Sequence, residues 1–478
     1  MKGEALKIMK KWRFVARKGV INVIFFFWLF SWIHTSSLAA ESYSQPPRPV
    51  SLVGGMLLDG YEVTPILDAT VVFEGGVIVA VGHRDAVEIP SDSVVIDVGG
   101  KTIMPGLIDA HIHLDLIGHG EYAGYYKFLE GTERLHEAFP IAAKQMLRAG
   151  VTTGLDLGSP FHILDFRERV SRGEVPGPRL LISGPWITRV ELAGVPDEYE
   201  VIIKNTEEAV SAVRSLIQAG SDVIKTWEGL TLQDYRAIVT EAHAAGIKVH
   251  AHLYSPIDIR NAIDSGVDVF QHVGSAKTPP YEESLVSEIA HKNIPIVQTV
   301  SHRIWVYPAT VSFPSRLRNP IYKDDMPRDF YDEFQRSFKN FHQLPYFNEI
   351  GREIRNSNLS ASQFIESGAY IGVGTDAASP LNMHNEAMWR EMSALVELGM
   401  SPIQVISAAT KTNAEIIGQF DNLGTLEVGK FADIVLVDGD PLRNIENLAN
   451  IEIVIKDGVI WYSEKAAFGP VTEIGYAF

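Results

Sequence analysis

The chain has 478 residues, 46% of them hydrophobic, and a formal net charge of −17. That length suits one large domain with an appendage and a sizeable core, and so acidic a balance argues against a nucleic-acid partner, whose phosphates need a basic face. Cysteine is absent, which excludes a disulfide framework and thiolate-held zinc, so any metal must be bound by nitrogen and oxygen.

Residues 1–40 read as a signal peptide. Lys7, Lys10, Lys11, Arg13, Arg17 and Lys18 precede the apolar run GVINVIFFFWLFSWI, and small residues follow in SSLAAES. Charged, apolar and small segments in that order direct export. The apolar run falls short of the roughly 20 residues a membrane span needs, so cleavage near Ala40 is expected rather than an uncleaved anchor. The mature protein is then periplasmic or secreted, without stable membrane insertion.

From 41 to 104 the pattern is short β-branched runs broken by glycine pairs. VSLVGGMLLDG, ATVVFEGGVIVAVG and SVVIDVGGKTIM place Gly54-Gly55, Gly75-Gly76 and Gly99-Gly100 at expected hairpin-like turns. The same texture returns over 421–478 in ADIVLVDGDPL and IEIVIKDGVIWY, which predicts one small β-sandwich made from both ends of the mature chain. Between them, over 105–420, helix-like stretches close on glycine and lead into apolar runs. Examples are AVRSLIQAG before SDVIKTW, AIVTEAHAAG before IKVHAH and IRNAIDSG before VDVFQHV. These are successive α/β units, and strands of that kind gather their carboxyl ends at one mouth of a parallel barrel. Arg303 to Gly351 interrupts the alternation with a stretch rich in aromatics and arginine. It reads either as a helical excursion packed on the barrel or as a lid or substrate wall at its mouth.

Six residues at the ends of the apolar runs can bind metal. His111 and His113 are separated by one residue, so on a strand both imidazoles face the same side. Lys225 in DVIKTW ends a buried run, where an ammonium is costly. It must snorkel to the rim, pair with Glu228, or react with carbon dioxide to give a carbamate able to bridge two metals. His250 and His252 share a face of VHAHL, His272 follows one unit later in FQHVG, and Asp376 ends IGVGTD after two glycines that permit close approach. Each has an ordinary structural explanation alone, as a core histidine or a turn aspartate. Together, and in this order, they point to a metal centre.

Over nearly all of the mature chain the sequence resembles the amidohydrolase superfamily, in the branch of imidazolonepropionase-like proteins and prolidases. The resemblance is carried by TIMPGLIDAHIHL, GPRLLISG, DVIKTW, IKVHAHLYSPIDIRNAIDSGVDVFQHVG, GVGTDA and SAATKTNAEIIGQFDNLGTLEVGKFADIVLVDGDPL. It implies a distorted (β/α)8 barrel with two divalent metals, usually zinc. By position, His111, His113 and Asp376 would hold the buried ion and His250 and His272 the exposed one, with carboxylated Lys225 between them. Two departures stand out. PWITRVELAGV replaces a Gly-Gly-His common near the third strand, and Gln271 stands where relatives commonly have Glu. Neither is expected to touch a metal ligand, and both are expected to bear on substrate preference.

The function expected is hydrolysis of an amide or peptide-like C–N bond in a dipeptide or N-acyl amino acid, by water activated between the metals. Asp376 would relay the proton, and His252 would hydrogen-bond the substrate. Arg303 is a candidate for binding a substrate carboxylate. A cyclic-amide hydrolase or deaminase is the alternative, although deaminases of the superfamily typically lack the lysine and carry a Glu soon after the fifth-strand His, absent from HAHLYSP. Ester, lactone or organophosphate hydrolysis could use the same site. A non-catalytic binding protein would be expected to have lost ligands. The sequence is compatible with a homo-oligomer. N-terminal sequencing of the protein from its native host should give a terminus close to Ala40 or Glu41; an intact Met1 in a membrane fraction would make the apolar run an anchor.

Overall fold

The computed structural model describes residues 48–274, 280–339, 343 and 348–464, so the expected signal peptide lies outside the described residues. β-Branched runs build five strands before the barrel: β1 (Val50–Leu57), β2 (Ile66–Glu74), β3 (Val77–His83), β4 (Val94–Asp97) and β5 (Lys101–Pro105). Gly75-Gly76 makes the expected hairpin turn between β2 and β3, whereas Gly99-Gly100 makes a turn between β4 and β5, both parallel to β1, and so is no hairpin. Gly54-Gly55 makes no turn. It lies inside β1 at a register shift, where Gly54 has a φ of 93° and a Cβ on Gly55 would come within 2.9 Å of Ile103. The pair therefore makes a bulge in the strand, a use of glycine that its composition does not distinguish from a turn.

The far end of the chain completes the same sheet. Strands β16 (Ile434–Asp438), β17 (Ile451–Lys456) and β18 (Val459–Ser463) extend it from β5, with β16 antiparallel to β5. Leu52, Val71, Phe73, Ile103, Ile434 and Ile455 are buried in one common core. The β-sandwich is thus made from both ends of the described chain, as the repeated texture predicts.

Between these halves runs the barrel. Its strands are β6 (Leu107–Ile112), β7 (Val151–Asp156), β8 (Arg179–Ile182), β11 (Val223–Thr226), β12 (Lys248–His252), β13 (Val269–Gln271), β14 (Ile296–Gln298) and β15 (Ile371–Val373). Two short additions, β9 (Trp186–Thr188) and β10 (Glu200–Ile202), pair alongside β11. All pairings are parallel. Two seams close the ring. At one, the Asp222 amide donates to the Ile182 carbonyl (2.7 Å), while β9 occupies the place beside β11. At the other, the Asp376 amide donates to the His111 carbonyl (2.9 Å) and Ile112 bridges to Ala377. Neither seam is a regular strand pair, and the (β/α)8 barrel is distorted at these two joins.

The connecting helices begin and end as their sequences direct. Asn205 caps Thr206–Ala219, which stops on left-handed Gly220, and Ser255 caps Pro256–Ser265, which stops on left-handed Gly266. The segment after β14 is helical over Tyr307–Ser312, Arg328–Ser337 and Ile350–Glu366. Tyr322, Phe330 and Phe334 are buried in the main core with Val306, so these aromatics are packing material, while Phe313 is exposed.

At the second seam a Cβ on Gly374 would lie 2.5 Å from Val297 Cγ1 and 2.8 Å from His111 Cβ. Gly374→Ala should therefore cost about 1–3 kcal/mol, the usual effect of overpacking a tight core. Urea denaturation checks this, and an unchanged midpoint would show that the seam is looser than its geometry.

Candidate metal centre

The six expected residues meet at the carboxyl ends of the barrel strands, where enzymes of this architecture place their sites. His111 comes from β6 and His113 from just beyond it. Lys225 on β11 and His250 on β12 are register partners. His272 follows β13 and Asp376 follows β15. His111, Lys225 and His250 have no exposed surface. Ligand atoms of His111, His272 and Asp376 lie within 4.8 Å of one another. Nε2 of His113 is 3.3 Å from Asp376 Oδ1, and that of His111 is 3.7 Å away. His272 and Asp376 take φ values of 66° and 56°. Left-handed backbone is rare away from glycine, and such strain gathers at functional sites.

Electrostatically, the cluster is prepared for cations. Burial pushes Lys225 down to about 7 and His250 down to about 3, and it holds His111 and His272 well below the usual imidazole range. Burial works against ionisation of Asp376, but the His113 hydrogen bond and the charges of His111 and His113 outweigh it and keep the carboxyl below its usual range. The Nε2 atoms of His111, His250 and His272 and the Nζ of Lys225 are buried without a hydrogen-bond partner. Each such atom costs about 1–3 kcal/mol when left unmatched. Histidine nitrogens, an ionised carboxylate and a lysine amine brought to about 7 form a donor set of the kind divalent metals take. Lys225 neither snorkels nor pairs with Glu228, whose Oε1 instead lies 3.7 Å from His252 Nε2.

A cavity of about 620 Å³ opens over the cluster. Its aromatic wall includes Tyr126, Trp186, Trp227 and Tyr254, and Trp227 stacks on His252 at 3.9 Å. Sequence reasoning missed these side chains because scattered aromatics carry no spacing signal. Trp186, Leu192, Ala193 and Val195 belong to PWITRVELAGV and line the cavity, where that departure was expected to act. The segment after β14 contributes Arg303, Asn348, Glu349 and Glu353 to the wall, so it is a packed excursion that also lines the cavity. Gln271 corrects an expectation. It is fully buried and hydrogen-bonds Nδ1 of both His111 (2.8 Å) and His250 (3.0 Å), so it touches two of the expected ligands. Its neighbour in sequence, His272, occupies the ligand position, and strand alternation turns Gln271 inward beneath the cluster.

Buried carboxylates outside the cluster hold the mouth in shape. Asp109, raised to about 7 by burial, accepts from the amide (3.0 Å) and hydroxyl (2.7 Å) of Thr375. Asp156 accepts from Leu114 (2.7 Å) and Ser159 (2.8 Å) amides, and Glu391 from those of Val300 and Ser301 (both 2.8 Å).

A model of the amidohydrolase family matches residues 102–461. The chain belongs to that family. This amidohydrolase is accordingly a hydrolase of C–N bonds, in a family that is typically metal-dependent. It is 23% identical to an imidazolonepropionase of Treponema denticola over 77% of this chain and 85% of that enzyme. A shorter match, 33% identical over 107 residues, is to an enamidase of Eubacterium barkeri; it covers 22% of this chain and 24% of the enzyme. Among solved structures, a Bifidobacterium longum protein assigned to the prolidases is 27% identical with a TM-score of 0.67, over 89% of this chain and 96% of that one. The barrel with its β-sandwich is the architecture of such neighbours.

Lys225 also sets a pH dependence. Its amine falls to about 7 in the folded metal-free chain and stays near 10.5 when unfolded. Between those values the unfolded state binds the extra proton, so this residue makes stability rise with pH, by roughly 1.4 kcal/mol per pH unit. In carbon dioxide-free buffer, Lys225→Met should flatten that rise in urea unfolding of the metal-free protein. Parallel wild-type and variant curves would show that the buried amine is solvated.

Proposed function

We propose that this amidohydrolase cleaves an amide or peptide-like C–N bond of a small substrate of the dipeptide or N-acyl amino acid type. One observation carries the reading: the buried, unpartnered Nε2 atoms of His111, His250 and His272 and Nζ of Lys225 beside ionised Asp376. His111, His113 and Asp376 would hold one divalent ion and His250 and His272 a second, zinc in this reading, and such ions supply a water acidic enough to attack at neutral pH and polarise the carbonyl. Lys225 suits a carbamate between them, since only the unprotonated amine adds carbon dioxide and burial brings it to about 7.

The protein's own groups do the rest. Asp376 accepts the proton released as water attacks and passes it to the leaving nitrogen. Ser379 Oγ donates to the Asp376 backbone carbonyl (2.8 Å), which steadies the loop that carries the carboxylate. His252, braced by Trp227 and near Glu228, hydrogen-bonds the substrate carbonyl or carboxylate. Arg303 is the sole Lys or Arg among the described lining residues and attracts a substrate carboxylate. The aromatic wall covers apolar substrate surface and excludes water.

Dipeptides and N-acyl amino acids screened for released amine should yield turnover that chelation abolishes. Turnover of esters, lactones or organophosphates with no amide cleaved would overturn the C–N assignment for this site. Asp376→Asn should lower kcat by roughly 10²–10⁴-fold, the scale of a positioned acid–base group, with melting temperature and metal content measured beside the rate. If the rate holds while the metal stays bound, another residue moves the proton.

A further inference from the structure

Gln271 lies beneath the cluster between two of its histidines. Its Oε1 faces Nδ1 of His111 at 2.8 Å and its Nε2 faces Nδ1 of His250 at 3.0 Å. The Ala110 carbonyl oxygen, 3.5 Å from Nε2 at the outer limit of a hydrogen bond, favours this orientation of the amide. Turned round, the amide oxygen would meet that carbonyl oxygen with no proton between them. An amide oxygen only accepts and an amide nitrogen donates. His111 must therefore carry its proton on Nδ1, which leaves a lone pair on Nε2. His250 must accept on Nδ1, and a neutral imidazole that accepts there carries its proton on Nε2. Both Nε2 atoms are buried and unpartnered, yet only that of His111 is ready to bind a cation.

We propose that Gln271 makes the two halves of the centre unequal, so that the ion held through His111 binds tightly and the ion that needs His250 binds weakly. Loading the second ion requires the amide or the His250 ring to turn. Turning the amide prepares His250 only by spoiling His111, because one amide has one acceptor oxygen. A carboxylate at this position has two, and could accept from both rings. Partners of this kind change metal affinity by roughly 10–100-fold, which is the difference expected between the sites. Gln271 is thus a positioning residue for the metal centre, and the inference rests on the metal-centre reading above.

The test is a titration of the full-length protein with zinc alone, followed by calorimetry and by elemental analysis after dialysis. Wild type should keep one ion per chain and take a second roughly 10–100-fold more weakly, whereas Gln271→Glu should keep two. Because a buried carboxylate could disturb packing, a second measurement uses the unaltered protein. Nitrogen-15 NMR of the histidine-labelled, metal-free chain should show the proton on Nε2 of His250 and on Nδ1 of His111, with signals assigned through His250→Asn and His111→Asn. Two equally tight ions in wild type, or a proton on Nδ1 of His250, would overturn the proposal. If neither protein binds an ion, the metal-centre reading fails, and the NMR result still decides whether Gln271 sets the tautomers.

Discussion

The hydrogen bond from the Asp376 amide to the His111 carbonyl closes the barrel between β15 and β6, and the same contact brings the two residues' side chains together at its mouth. The segment after β15 that carries Asp376 can come this close only because Gly374 has no side chain to strike His111 and Val297. Asp109 braces the seam from below through Thr375. Fold closure and site assembly are therefore one event here. A chain that failed to close this seam would also fail to gather the ligands.

That coupling has an energetic consequence. Four unmatched polar atoms and several buried titratable groups sit where a stable core would have apolar side chains. The surrounding protein holds them in place through strained backbone at His272 and Asp376 and through buried carboxylates that accept from loop amides. Cations bound by such a cluster would offset the desolvation of its donors. Around it the aromatic wall supplies shape, and Arg303, the sole Lys or Arg among the described lining residues, faces a cavity also edged by Asp115, Glu228, Glu349 and Glu353.

Much of this was legible in the chain because the relevant signals are local. The alternation of helix-like stretches, glycine stops and apolar runs is set by backbone geometry within a few residues, and it delivered the barrel. His111 and His113, or His250 and His252, declare a shared face through the two-residue period of a strand. Other features were ambiguous for equally physical reasons. Gly54-Gly55 has the composition of a turn but serves a bulge, because what decides is the neighbouring Ile103 on β5. The segment from Arg303 to Gly351 mixes buried aromatics with cavity-lining polar groups, and only packing sorts one from the other.

Gln271 shows the limit most clearly. By itself the sequence determined the fold class, the pairing of the chain's two ends in one sandwich, and the order of the ligand candidates along the strands, since each follows from short-range periodicity and composition. Tertiary structure decided that Lys225 is buried away from Glu228, that aromatics from distant loops form one wall, and that Gln271 hydrogen-bonds His111 and His250. Those facts depend on contacts between β6, β12 and β13, and the direction of a hydrogen bond across strands is fixed by where the neighbouring carbonyl lies in space.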